Sequence, residues 1–218
     1  SKKPEIAEAN IKVVRAGYDY GHNTHASVAH TYKIESKAAV PGKYMDITGN
    51  KATAYGFIAA AEKAGLKLYL GSYPITPATD VLHELSKHKS LGVTTVQCED
   101  EIAGCASAIG ASYAGALAVT STSGPGICLK SEAMNLAVIM ELPLVVLDVQ
   151  RGGPATGLPT KSEQTDLLQV LFGRNGESPM PVIAATSPTD CFDSAYMAAK
   201  IALEHMTPVV LLTDAFVA

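Results

Sequence analysis

Short apolar runs rich in β-branched residues recur along the second part of the chain, at 67–70, 93–97, 116–120, 144–149, 182–185 and 209–213. Helical patterns separate them, at 53–64, 79–87, 101–113, 129–140, 164–172 and 189–205. Runs of that length have too few polar positions for a half-solvated sheet, and their alternation with helices calls for crossover connections. The pattern therefore predicts an α/β fold for residues 51–218: a doubly wound, mainly parallel six-stranded sheet with helices on both faces. Residues 1–50 break the rhythm. Pro4, Gly17, Gly21, Pro41, Gly42 and Gly49 punctuate them, one helical pattern stands out at 5–16, and the segment reads as a linker or the tail of a preceding domain. The chain opens on Ser1 rather than Met and stops at Ala218 just past a strand, so a piece of something longer is expected.

The two kinds of connection differ. Helix-to-strand links such as Lys63-Ala64-Gly65-Leu66 and Ala114-Gly115 are short and plain. Strand-to-helix links, at 71–78, 98–100, 121–126 and 150–163, are polar and rich in Gly and Pro. These all emerge at the carboxyl edge of the sheet, where open α/β folds bind ligands.

Composition narrows the partners. With 218 residues, 47% hydrophobic and 17% charged, the chain can bury a sizeable core as a globular protein. A net charge of -4 without basic runs argues against nucleic acid and against an anionic membrane surface. No apolar run approaches bilayer length and the polar start lacks a signal-peptide core, so a cytoplasmic location is expected. Cys98, Cys105, Cys128 and Cys191 form no C-x-x-C pair and read as buried free thiols, so an iron–sulfur cluster would need cysteines from another chain. His22, His25 and His30 have no accompanying thiol or carboxylate pattern and read as linker residues rather than metal ligands.

Candidate chemistry gathers in the strand-to-helix links. In Tyr73-Pro74-Ile75-Thr76-Pro77, two prolines fix the backbone and are expected to hold Tyr73 and Thr76 outward, with a helix cap at Thr76 or Thr79 as the plainer reading. Glu99, Asp100 and Glu101 set three carboxylates at a helix start, more than capping needs, ahead of a helix of small residues that admits a close backbone or a flat ring. Ser121-Thr122-Ser123-Gly124-Pro125-Gly126 suits an anion or a polar ring edge, yet it lacks the Lys of a Walker loop, and no stretch matches G-x-G-x-x-G. Arg151, in a Gly- and Pro-rich loop with no structural partner evident in sequence, offers a fork that matches a carboxylate.

Together with Asp148-Val149-Gln150-Arg151-Gly152-Gly153-Pro154 and Gly157-Leu158-Pro159-Thr160-Lys161-Ser162-Glu163-Gln164-Thr165-Asp166-Leu167, these stretches resemble the alpha subunit of 2-oxoacid:ferredoxin oxidoreductases, in order and spacing over residues 50–218. Gly173-Arg174-Asn175-Gly176-Glu177 followed by Pro181 points to the 2-oxoglutarate type. The resemblance implies the pyrimidine-binding domain of a thiamine diphosphate enzyme. Glu101 would be the catalytic acid that pairs with the aminopyrimidine and promotes formation of the thiazolium ylid, with Thr76 beside the reacting carbon. Tyr73, Pro74, Ile75, Ser123 and Gly124 would line the cofactor, and Arg151, Thr160 and Thr76 the 2-oxoacid. The implied reaction is oxidative decarboxylation to an acyl-coenzyme A, with coenzyme A as co-substrate and ferredoxin as electron acceptor.

No G-D-G with a downstream Asn occurs, so the diphosphate-binding domain, its magnesium and the iron–sulfur cluster are expected on a beta subunit. Two alternatives remain: a non-catalytic interaction domain of the same fold, or the pyrimidine domain of another thiamine enzyme. The intact acid and Arg loop weigh against the first, and the YPITP and GGPATGLPT stretches against the second.

Overall fold

A computed structural model describes residues 3–24, 32–35 and 41–218. The chain divides into two compact units, one running to Tyr44 and one from Met45 to Ala218. The first contains helix α1 (Pro4–Thr24), in which no residue is buried. It runs past Gly17 and Gly21, where the sequence suggested an end near residue 16; Glu5 in its first turn and His22 in its last both suit the helix dipole. His22 stacks on Tyr18 with ring centres 6.1 Å apart, while His25 and His30 lie outside the described residues.

The second unit begins with α2 (Gly49–Ala64), capped by Thr48, whose side chain accepts from the Lys51 N–H at 3.3 Å, and closed by Gly65 at φ 68°. There follow β1 (Leu68–Ser72), α3 (Thr79–Leu85), a 3₁₀ turn at Lys89–Leu91, β2 (Val93–Gln97), α4 (Glu101–Tyr113) and β3 (Leu117–Thr122). Then come α5 (Pro125–Leu129), α6 (Ser131–Ile139), β4 (Leu144–Gln150), α7 (Leu167–Phe172), β5 (Val182–Ala184), α8 (Asp190–His205) and β6 (Pro208–Asp214). The single helical pattern at 129–140 resolves into two helices meeting at Lys130, because the turn after β3 already starts a helix at Pro125, where a missing N–H is harmless.

All six strands are parallel, in the order β2-β1-β3-β4-β6-β5. Alternation along each central strand sends side chains to two separate cores. Val145, Leu147 and Val149 of β4 pack with Phe57 of α2 and Ala195 of α8, while Leu144 and Val146 pack with Ile109 of α4 and Met134 of α6. Gly71 of β1 lets α4 approach closely: a methyl group there would overlap the Gly104 carbonyl and the Ser107 hydroxyl. The small residues on that side of α4 are thereby accounted for by backbone packing.

Strand order reverses at β1. After β1 the chain turns out to α3 on one face and returns as β2; after β3 it turns to α5 and α6 on the other face and continues to β4. The carboxyl ends of β1 and β3 therefore flank a topological switch point, the usual place for a binding crevice. Among the described residues no helix is long and apolar enough to cross a membrane.

Candidate active site

The β1–α3 turn is pinned at several points. Asn50 Nδ2 donates to the Pro77 carbonyl at 2.9 Å, and the Thr79 hydroxyl accepts from the Ile75 N–H at 2.8 Å. That hydroxyl is thus occupied closing the turn, and the expected side-chain cap of α3 does not form. The Thr76–Pro77 peptide is cis. Thr76 and Pro74 are exposed and Ile75 is half-buried against the core.

Tyr73 departs from expectation. The prolines fix backbone rather than side-chain torsions, and its ring turns inward, where it is buried and its hydroxyl lies 2.9 Å from Thr122 Oγ1. Burial, together with the nearby Glu101 carboxyl, pushes the phenol above its ordinary range even against the Thr122 hydrogen bond.

Of the three carboxylates at the head of α4, Asp100 is the cap: its Oδ1 accepts from the Ala103 N–H at 2.8 Å. Glu99 is exposed, and Glu101, the first helical residue, is half-buried. Glu101 Cγ, the Tyr73 hydroxyl and Thr122 Oγ1 converge on the backbone of Gly126, where any side chain would overlap both oxygens. An acid, a phenol and a hydroxyl thus form a cradle packed directly on the Gly126 backbone, a closeness that only glycine permits. In the same β3–α5 turn, Ser123 Oγ is buried without a hydrogen-bond partner, and Gly124 stands at φ 44° facing the Arg151 side chain. This donor set suits the polar edge of a flat heterocycle.

Arg151 closes the crevice from β4. It is 4% exposed, and it forms no ion pair among the described residues. Its Nη1 donates to the Thr76 carbonyl at 2.7 Å and its Nη2 to the Thr156 carbonyl at 2.6 Å, while Nε is buried and unpartnered. The loop it anchors folds back tightly: Gly152 N–H donates to Lys161 O, Leu158 N–H to Gly152 O, and Gly153 N–H to Glu163 Oε2. Thr160 sits exposed on this loop. A cleft of about 530 Å³ opens between it and α5, lined by Gly124, Cys128, Arg151, Glu163, Asp166 and Gln169.

The structure thus gathers Tyr73, Glu101 and the turn containing Ser123 and Gly124 into one cluster, and joins Thr76 to Arg151 directly. Pro74 and Thr160 are exposed and make no hydrogen bond that ties them to the cluster among the described residues. Two further residues belong to the site's framework: Lys130, which carries no motif signal, and Asp148, which opens the Asp148–Pro154 stretch without being singled out there as a site residue. Lys130 is fully buried: its Nζ donates to the Glu101 carbonyl and to Thr120 Oγ1, both at 2.9 Å, and lies 5.2 Å from the centre of the Tyr73 ring. Asp148 is also fully buried, and neither oxygen makes a hydrogen bond of normal geometry; burial and the adjacent Asp166 raise its carboxyl well above the ordinary range.

The thiols are less uniform than expected. Cys105 and Cys191 are buried and Cys98 half-buried, but Cys128 is exposed at the cleft. Burial pushes the Cys105 thiol up to about 11, which makes it inert as a nucleophile at neutral pH. Among the described residues no group of three His, Cys, Asp or Glu side chains is placed to hold a metal ion.

Comparison with known proteins follows the same lines. Residues 59–218 match the family described as pyruvate flavodoxin/ferredoxin oxidoreductase, thiamine diphosphate-binding. The chain is 60% identical over 218 residues to the 2-oxoglutarate oxidoreductase subunit KorA of Mycobacterium tuberculosis, spanning all of this chain and 33% of that protein. It is 42% identical over 172 residues to the 2-oxoglutarate synthase subunit KorA of Archaeoglobus fulgidus, spanning 78% of this chain and 48% of that one. A solved structure of 2-oxoglutarate:ferredoxin oxidoreductase from Magnetococcus marinus, with 2-oxoglutarate, coenzyme A and succinyl-CoA bound, superposes with a TM-score of 0.81 at 38% identity, covering all of this chain and 37% of that one. The chain therefore spans between a third and a half of the length of these relatives.

Proposed function

Because the chain belongs to the pyruvate flavodoxin/ferredoxin oxidoreductase family of thiamine diphosphate-binding domains, we propose that it is the pyrimidine-binding part of a 2-oxoglutarate:ferredoxin oxidoreductase that forms succinyl-coenzyme A. The observation that carries this reading is the convergence of Glu101, Tyr73 and Thr122 on the backbone of Gly126 at the switch point of the sheet. Thiamine diphosphate, when bound, supplies the electron sink for cleaving the bond between a 2-oxoacid's carbonyl carbon and its carboxylate.

Glu101 would hold the aminopyrimidine at its ring nitrogen and exchange a proton there. Tyr73, Pro74, Ile75, Ser123 and Gly124 would line the ring. Arg151 presents its remaining N–H groups to the substrate carboxylate from a guanidinium already oriented by two backbone carbonyls. Thr76 and Thr160 complete the 2-oxoacid contacts. The diphosphate, magnesium and iron–sulfur cluster fall to a partner subunit, with ferredoxin and coenzyme A as the remaining reactants, in the cytoplasm.

The test is co-expression with the partner subunit. The purified complex should carry thiamine and iron–sulfur absorbance and reduce ferredoxin or a viologen dye only when 2-oxoglutarate and coenzyme A are both present. Equal reduction with pyruvate would overturn the substrate assignment, and a complex free of thiamine would overturn the enzymatic reading.

A further inference from the structure

Lys130 occupies the single position between α5 and α6, and its whole side chain is buried. An ammonium removed from water is costly unless a carboxylate answers it, yet its two hydrogen bonds go to a carbonyl and a hydroxyl. A methionine or leucine would fill the same space at lower cost, so the position uses the charge and the donors. Those donors reach three elements of the site at once. One grips the backbone of Glu101 in the first turn of α4, one grips Thr120 of β3, and the charge lies under the ring of Tyr73.

The first turn of a helix is where fraying concentrates, and Glu101 stands in it. Asp100 secures that turn through the Ala103 N–H, and Lys130 secures it through the Glu101 carbonyl. The acidic and thiol groups that face the ammonium are Glu101, Asp100 and Cys105 from α4 and its cap, Cys98 after β2, and Asp148 from β4. We propose that Lys130 is the positioning residue of the site: by joining the Glu101 carbonyl, the Thr120 hydroxyl and the Tyr73 ring, it fixes the head of α4 and with it the Glu101 side chain beside Tyr73 and Gly126. The inference rests on the reading of Glu101 as the acid that contacts the cofactor.

The experiment compares Lys130→Met, Lys130→Arg and Glu101→Gln in the complete complex, with no substrate present. Three quantities are read: calorimetric affinity for thiamine diphosphate, melting temperature, and the rate at which the bound cofactor's acidic C–H proton exchanges with solvent across pH. Lys130→Met is expected to keep cofactor affinity within about threefold while slowing exchange by about tenfold or more, since misaligned proton-transfer groups lose that much. Lys130→Arg should recover part of the rate. Wild-type exchange in Lys130→Met overturns the proposal, as does a loss of affinity and melting temperature with exchange intact. Slow exchange in Glu101→Gln alongside fast exchange in Lys130→Met removes only Lys130, whereas fast exchange in Glu101→Gln removes the reading of Glu101 and this inference with it. If Lys130→Met fails to assemble, Thr120→Val takes its place: exchange slowed about threefold supports the proposal, and an unchanged rate overturns it.

Discussion

The guanidinium of Arg151 donates to the carbonyl oxygen of Thr76 at 2.7 Å, so the loop after β4 and the turn after β1 are held together by the same group proposed to meet the substrate. A lysine cannot reproduce this. Its ammonium lacks the planar fork that reaches the Thr76 and Thr156 carbonyls at once. Arg151→Lys should lower kcat/KM for 2-oxoglutarate by ~10²-fold and leave cofactor affinity nearly unchanged, because about 2–3 kcal/mol of oriented charge-assisted bonding is lost. Steady-state kinetics with calorimetry on the complex checks this.

Glu101→Ala should abolish 2-oxoglutarate-dependent dye reduction, a loss on the order of 10²–10⁴-fold if the carboxyl acts as acid and base. Assembly should survive, since Asp100 keeps its cap. Size-exclusion chromatography beside the activity assay separates the two effects. Full activity would take Glu101 out of the reaction.

Gly126→Ala places a methyl group against the Tyr73 hydroxyl, Thr122 Oγ1 and Glu101 Cγ. Overpacking of this kind costs ~1–3 kcal/mol, and here it also pushes the Tyr73 hydroxyl and the Glu101 side chain from their places in the candidate site. Thiamine diphosphate affinity of the complex should fall more steeply than its melting temperature. A variant that melts early but binds the cofactor normally would show that the cradle serves packing alone.

Asp148 supplies a pH dependence whose sign can be worked out. Its folded carboxyl sits well above the unfolded value because of burial and the neighbouring Asp166. The native state therefore holds a proton that the unfolded chain has released, and stability is full below about pH 4 and declines as pH rises toward the folded value. Asp148→Asn, neutral and of the same shape, should flatten that decline. A gain of about 2–4 °C in melting temperature at pH 8, and less at pH 5, is the response expected of a domain this size to roughly 1 kcal/mol. An equal shift at both pH values would place the effect in packing.

The strand-and-helix frame was legible because period and length were unambiguous. β2 and α4 begin and end where the apolar pattern does, at Val93–Gln97 and Glu101–Tyr113. Side-chain direction was not legible. Proline restricts the backbone around Tyr73, but the ring follows the buried partner available to it, Thr122, and that partner comes from a strand 49 residues away. Arg151 raised the same difficulty, since its partners are backbone carbonyls and carry no residue type to read. Lys130 is the clearest case. A lone lysine between two short helices ordinarily reads as a solvated side chain, and only the folded arrangement of β3, α4 and Tyr73 gives it a burial site.

The links between β1 and β3, Ser72 to Ser121 and Tyr73 to Thr122, each close a loop of 49 residues. Such contacts form only after that stretch of chain has surrendered its freedom, so they come with the closing of the central strands rather than with any local turn. The cradle at Gly126 therefore has no partly folded version. Whatever unzips β1 from β3 dismantles it, and amide exchange at Tyr73 and Thr122 should report the global opening of the domain rather than the breathing of a surface loop.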